Sequence, residues 1–221
     1  MIQITIDGLG GSGKSTICKR VSERLKILYF DPNMIVNAIS LKCVQRGVNP
    51  TSENDVSKVL ANTKIELVHK NTYTAVFLDG KEVTNMMNHR IVVQSFYALS
   101  KLTCVKKYIE ILQQEVLKNN DAIVEGLDVG TVDISKIMYK FFLTADVETR
   151  VQRKLSALRE KNIYDVTYEE ILSDTLDSDN NFYIGETSKV KYSDDLNMID
   201  TTVLSIPEIV DKICNKIIKG E

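Results

Sequence analysis

Six residues of apolar strand character, IQITID (2–7), run directly into GLGGSGKST (Gly8–Thr16). That junction constrains the fold more than any other stretch. Gly8, Gly13, Lys14 and Ser15 satisfy the spacing GxxxxGK[ST]. Glycines let backbone N–H groups turn inward around phosphate oxygens, and a helix opening near Lys14 adds the positive end of its dipole. The motif assigns Lys14 to the β- and γ-phosphates and the Ser15 hydroxyl to Mg²⁺. Gly8, Gly11, Ser12, Gly13, Lys14, Ser15 and Thr16 are therefore expected to bind a nucleoside triphosphate with Mg²⁺. The motif needs a strand before it and a helix after it, and the sequence supplies both.

The rest of the chain alternates strand and helix patterns. Short apolar runs at 27–31, 122–126, 139–144 and 196–200 read as further strands. Residues 14–25, 33–47, 54–70, 92–118, 146–161 and 167–176 read as helices. IPEIVDKICNKII closes the chain as an amphipathic helix, with Ile206, Ile209, Val210, Ile213 and Ile217 on one face. TYTAVFLDGKEVT (72–84) alternates around Asp79-Gly80, a hairpin turn pair. Such alternation predicts an α/β fold: a P-loop NTPase domain with a five-stranded parallel sheet covered by helices on both faces. The hairpin and its flanking helices, about 33–118, interrupt the alternation and read as an inserted acceptor-binding subdomain. A lid is expected at about 173–195. With 221 residues, 43% hydrophobic, the chain suits one domain over 1–221.

Composition excludes several classes. A formal charge of −2 gives no basic footprint for nucleic acid. No apolar run is long enough to span a membrane, and no signal-like segment precedes the first strand. Cys18, Cys43, Cys104 and Cys214 lie far apart, and with two histidines they offer no zinc spacing. The expectation is a cytoplasmic protein with reduced cysteines. No guanine-specifying NKxD pattern occurs, and the third core strand ends in Glu125-Gly126. Both features favour a small kinase over a switch GTPase or a motor.

Taken together, several segments resemble the cytidylate kinase family, the bacterial (d)CMP kinases. They are IDGLGGSGKST, Asp31, RGV at 46–48, VFLDGKEVT at 76–84, EGLDVGTV at 125–132, FLTADVETRVQRK at 142–154, DTLDS at 174–178 and IDTTVLSI at 199–206. The resemblance covers nearly the whole chain. It implies a five-stranded parallel core, an inserted acceptor-binding region and a lid that closes over the phosphates. It also implies transfer of the ATP γ-phosphate to CMP or dCMP, and it leans towards a monomer.

The sequence departs from that family where arginines grip the acceptor's phosphate. Val36-Asn37 stands in place of a Tyr-Arg pair, and Leu127 replaces the arginine between Gly126 and Asp128. Val105-Lys106 replaces Val-Arg. Ser173 and Asn180 stand where the lid's arginines are expected. From Asp165 to Glu186 there are seven carboxylates and no lysine or arginine. A lid over a triphosphate has to stabilise spreading negative charge, and Lys189 and Lys191 are the nearest cations further along.

The candidate residues follow from these positions. Asp128 is expected to orient the acceptor or act as base, unless it caps a helix. Glu125 is a candidate for the Mg²⁺ water shell or for a general base. Asp31 either contacts the acceptor or caps the next helix, and Asn37 occupies the family's arginine position. The resemblance implies that Arg150 stacks on adenine, that Arg153 lies near the phosphates and that Asp177 contacts the sugar. Lys106 is a candidate point charge on a phosphate, and Arg90 a candidate relocated clamp. His69 and His89 read as surface residues. Three functions stay open: a nucleoside monophosphate kinase, a kinase of an unphosphorylated alcohol, and a nucleotide-binding protein with little transfer activity.

Overall fold

The computed structural model describes residues 1–87, 89–126, 137–160, 164–184 and 195–219. Five strands form one sheet in the order β2-β6-β1-β7-β8: β1 (Gln3–Gly8), β2 (Leu28–Phe30), β6 (Ala122–Glu125), β7 (Tyr139–Thr144) and β8 (Leu196–Asp200). The non-consecutive order is that of parallel strands joined by helical crossovers. The five expected strands are thus present within a residue or two of their expected limits. Among the described residues, no helix is long and apolar enough to cross a membrane.

The chain divides into two compact units, residues 1–2 with 25–124 and residues 3–24 with 125–221. In the first, β2 pairs in parallel with β6, with Leu28 opposite Ala122 and Phe30 opposite Val124. This unit carries α2 (Pro32–Arg46), α3 (Glu53–Leu60), β3 (Ile65–Lys70), β4 (Tyr73–Leu78), β5 (Lys81–Glu82), α4 (Arg90–Ser100) and α5 (Thr103–Asn119). Asp31 caps α2 by accepting from Asn33 N at 2.8 Å. Buried Ser40 donates to the Val92 carbonyl at 2.6 Å, which fixes α2 against α4. The turn between β4 and β5 falls at Asp79 and Gly80, with φ of +50° and +82°. That is the two-residue geometry this pair of residues favours.

Two helical expectations are corrected here. Residues 54–70 were expected to be one helix, but α3 stops at Leu60, and Ile65–Lys70 is a strand paired antiparallel with β4. Thr63 starts the break by donating its hydroxyl to the Val59 carbonyl at 2.7 Å. The β4 ladder then takes the backbone groups that follow. Residues 92–118 form two helices, with Leu102 as the N-cap of α5. Leu102 supplies no side-chain cap. Glu53 does so from 50 and 51 positions away, accepting from Thr103 N at 3.1 Å and Cys104 N at 2.6 Å.

In the second unit, β1 pairs in parallel with β7, and β7 with β8. Its helices are α1 (Lys14–Leu25), α6 (Val147–Glu160), α7 (Tyr168–Ile184) and α8 (Ile206–Lys219). Ile209, Val210, Ile213, Cys214 and Ile217 make the buried face of α8, while Ile206 is exposed. The shorter helix expected at 167–176 runs on to Ile184. Val151 and Leu155 of α6 and Ile171 of α7 form a local core, bordered by Val147, Leu158 and Leu172. That apolar seam holds α7 along α6, where an isolated acidic segment would have little reason to stay helical.

Candidate active site

The site is built around the turn from β1 into α1. Ser12 N donates to the Leu9 carbonyl at 3.1 Å and Ile17 N to the Gly13 carbonyl at 3.0 Å, so the loop closes tightly onto the helix. Lys14 folds back along it, its Nζ donating to the Gly8 carbonyl at 2.6 Å and the Leu9 carbonyl at 3.1 Å. The first turn of α1 carries no carboxylate, so its free N–H groups keep their positive potential for an anion. Ser12 is 1% exposed, and its hydroxyl has no hydrogen-bond partner among the described residues. A buried hydroxyl without a partner is costly in a protein interior. In a phosphate loop, an incoming oxyanion would satisfy it.

The next residue supplies an oxygen pair. Ser15 Oγ donates to Glu125 Oε1 at 2.6 Å. Glu125 ends β6 and is buried. With the hydroxyl proton turned to the carboxylate, the lone pairs of Ser15 are left for another partner. Two hard oxygen donors beside a phosphate site match what Mg²⁺ takes from a protein, which is few protein ligands with the rest from phosphates and water. Among the described residues no group of three or more acidic, cysteine or histidine side chains could hold a metal by itself.

Helix α6 places three cations near the loop, Arg150, Arg153 and Lys154, each with different partners. Arg150 is 3% exposed. It donates to both oxygens of Asp179 on α7, at 3.0 and 2.5 Å, to the Gly10 carbonyl at 3.2 Å and, through Nε, to the Ala145 carbonyl at 3.1 Å. Arg153 reaches Thr201 at the end of β8, with contacts of 3.0 Å to the hydroxyl and 2.8 Å to the carbonyl. The Thr201 hydroxyl also lies 3.0 Å from the Ser12 carbonyl, so Arg153, β8 and the loop share one network. Lys154 donates to the Thr175 hydroxyl of α7 at 2.8 Å. Burial first, and then the neighbouring Arg150 guanidinium, push the Lys154 ammonium below the ordinary lysine value.

A cavity of about 460 Å³ opens onto this set. Ser12, Lys14, Ser15, Glu125, Arg153 and Lys154 line it together with Ala157, Leu204, Ile206 and Ile209. A mixed wall of cations and apolar side chains suits a ligand with both a phosphate chain and a flat apolar part.

The structure therefore brings together Gly11, Ser12, Gly13, Lys14, Ser15, Thr16, Glu125 and Arg153 of the sequence candidates. Arg150 lies beneath the loop, tied to Asp179. Asp177 is on an exposed face of α7. Asp31, Asn37, Arg90 and Lys106 belong to the first unit. There Asp31 and Asn37 lie at and within α2, Arg90 opens α4, and Lys106 is exposed on α5. Asn37 Oδ1 is buried with no hydrogen-bond partner among the described residues. Asp128, Lys189 and Lys191 lie outside the described residues. Sequence reasoning passed over Lys154, Thr201 and Asp179. The first two sat inside segments quoted for the resemblance, but nothing local distinguishes them from ordinary surface residues.

A glycine-rich loop between the first strand and first helix of a parallel sheet, with its lysine folded over the turn and its serine beside a buried carboxylate, defines a P-loop NTPase-type fold. The backbone agrees: shikimate kinase from Bacteroides thetaiotaomicron superposes with a TM-score of 0.51 at 9% identity, over 97% of both chains. The cytidylate kinase family model matches residues 4–219, and the chain belongs to that family. It is 32% identical to the cytidylate kinase of Caldicellulosiruptor bescii over 100% of this chain and 98% of that one. It is 31% identical to a cytidylate kinase of Clostridium botulinum over 97% and 96%.

Proposed function

We propose that the protein transfers the γ-phosphate of ATP to CMP or dCMP. The observation that carries this reading is the loop itself, with Lys14 drawn over Gly8 and Leu9 and Ser15 paired with Glu125 at 2.6 Å, beside a cavity of nucleotide size. It occurs in a chain matched to the cytidylate kinase model from end to end.

In this reading Lys14 and the loop amides hold the β- and γ-phosphates. Ser15 and Glu125 hold Mg²⁺, which supplies charge neutralisation of the phosphate oxygens when bound. Arg153 and the apolar wall formed by Ala157, Leu204, Ile206 and Ile209 border the nucleotide cavity. Asp31, Asn37, Arg90, Lys106, Asp128 and Asp177 are the acceptor-side residues, with Lys189 and Lys191 as further sources of positive charge. The acceptor's phosphate oxygen attacks the γ-phosphorus in line, and ADP leaves with the bridging oxygen. Exclusion of water keeps the γ-phosphate from hydrolysis. The protein acts as a cytoplasmic monomer on small molecules.

The test is ADP release from Mg·ATP across CMP, dCMP, UMP, AMP and the free nucleosides, with Lys14→Ala as control. We expect turnover with CMP or dCMP of about 1–100 s⁻¹, the range usual for kinases. We expect a loss of about 10²–10³-fold in Lys14→Ala, a charge-stabilising residue of the kind whose removal has that effect. ADP release with nucleosides but with no monophosphate would sink the proposal.

A further inference from the structure

The lid helix α7 presents Ser173 and Asn180 and contains no arginine or lysine. Positive charge for the terminal phosphate therefore has to come from elsewhere, and the half of α6 nearest the loop offers Arg150, Arg153 and Lys154. Arg150 is not available: the two carboxylate oxygens of Asp179 neutralise it, and the protein covers it. Arg153 is directed to Thr201. Lys154 is different. Its hydrogen bond goes to a neutral hydroxyl, the residue is only partly buried, and it lines the phosphate cavity.

Its position within that cavity is specific. A Cβ placed on Gly10 would lie 3.5 Å from Lys154 Nζ, so the ammonium sits over Gly10. The neighbouring carbonyls, Gly8 and Leu9, hold the ammonium of Lys14. Two lysine ammonium groups thus converge on the same end of the loop; burial, then Arg150 and last Lys14 act against protonated Lys154, while the Asp179 and Asp174 carboxylates act for it. Like charges brought together in a partly dehydrated pocket are unfavourable without an anion between them. Lys14 of this motif serves the β- and γ-phosphates. The anion that satisfies both ammonium groups is the terminal phosphate. The buried hydroxyl of Ser12 on the same cavity, without a hydrogen-bond partner among the described residues, points independently to missing ligand oxygens.

Thr175 explains how the lysine is aimed. It is 0% exposed, and its hydroxyl donates to the Ile171 carbonyl at 2.6 Å. Its oxygen therefore accepts from Lys154, and the lysine's ammonium is held by α7. We propose that Lys154 is the cation that contacts the γ-phosphate of ATP in this chain, standing in from α6 for the arginines absent at Ser173 and Asn180. The inference rests on ATP being the phosphate donor. Lys154 forms no covalent bond. It donates N–H hydrogen bonds to γ-oxygens while the bond from γ-phosphorus to the β,γ-bridging oxygen breaks and the bond to the acceptor oxygen forms.

The experiment compares ATP with ADP, because only ATP carries the group in question. Calorimetric titration with Mg²⁺ present is run on wild type, Lys154→Gln and Lys154→Arg. Lys154→Gln should weaken ATP binding about tenfold or more, as expected for one lost charge-assisted contact, and ADP binding less than threefold. Lys154→Arg should restore most of the difference. Equal losses for ATP and ADP, or none for either, would overturn the proposal. Should a variant not fold, the wild-type protein answers the same question by lysine acylation read by mass spectrometry. ATP should protect Lys154 and ADP should not, while both protect Lys14. Equal protection of Lys154 by both nucleotides, or by neither, counts against it. Neither readout uses an acceptor, so failure to phosphorylate CMP would strike the function proposed above and leave the role of Lys154 separately decided.

Discussion

Lys14 and Gly11 show how much of the phosphate site is decided within single residues. The lysine's reach to two carbonyls of its own loop is a local property, and the motif spacing announces it. Gly11 is also in the motif, but its reason is tertiary. Its φ is +86°, and a Cβ there would lie 2.9 Å from the Arg150 carbonyl oxygen and 3.0 Å from Arg150 Cβ. Gly11→Ala therefore both strains the backbone and pushes the loop off α6. We expect a stability loss of roughly 1–3 kcal/mol, the range for a residue forced into a sparsely populated conformation, measured as a shifted urea midpoint. Weaker ATP binding should accompany it. Asn37 makes the complementary case on the acceptor side. It stands where the resemblance expects an arginine, and its Oδ1 is buried without a hydrogen-bond partner among the described residues. Asn37→Arg restores a two-point phosphate grip, and the expected result is a KM for CMP lowered by about tenfold, the value of one charge-assisted contact. An unchanged or raised KM would separate Asn37 from the acceptor's phosphate.

At the scale of elements, α6 and α7 act as one piece. Their apolar seam of Val151, Leu155 and Ile171 is flanked by the Arg150–Asp179 pair and by the Lys154–Thr175 contact. The sequence shows 165–186 only as a run of carboxylates without a cation. The structure shows that one of them, Asp179, is the counter-charge of a buried arginine. Removing a single partner of a buried pair leaves an uncompensated charge. Asp179→Ala should therefore cost about 3–5 kcal/mol, seen as a lower urea midpoint. A loss below about 1 kcal/mol would mean that water reaches Arg150 and that the clasp contributes no more than a surface pair. Elements are also where sequence reading failed. Nothing local to residues 65–70 distinguishes a strand from a continued helix, because pairing with β4 decides it. Nothing local to Leu102 marks a helix start, because the cap is Glu53, far back in the chain.

For the whole molecule, the chain divides into two units, and the residues proposed for donor and acceptor divide unevenly between them. The residues proposed for the donor, Lys14, Ser15, Glu125, Arg153 and Lys154, all fall within one unit. Of the proposed acceptor-side residues, Asp31, Asn37, Arg90 and Lys106 fall within the other, while Asp177 falls within the same unit as the donor residues. Amide hydrogen exchange should resolve the two. Mg·ATP is expected to slow exchange in the phosphate loop and α6, and CMP in α2 and α4, because a ligand protects the segments whose opening would release it. Protection of α2 by ATP alone, with none from CMP, would contradict that assignment. The sequence by itself determined the parallel sheet, the phosphate loop and the family. Those signals lie in short stretches whose hydrophobic period and glycine spacing act through neighbouring backbone. Only the tertiary structure decided that Arg150 is neutralised by Asp179, that Arg153 reaches Thr201 and that Lys154 stands over Gly10. Those partners lie between 29 and 144 positions apart in the chain. At such separations a side chain's charge and direction follow from which helix packs on which, and no local pattern encodes that.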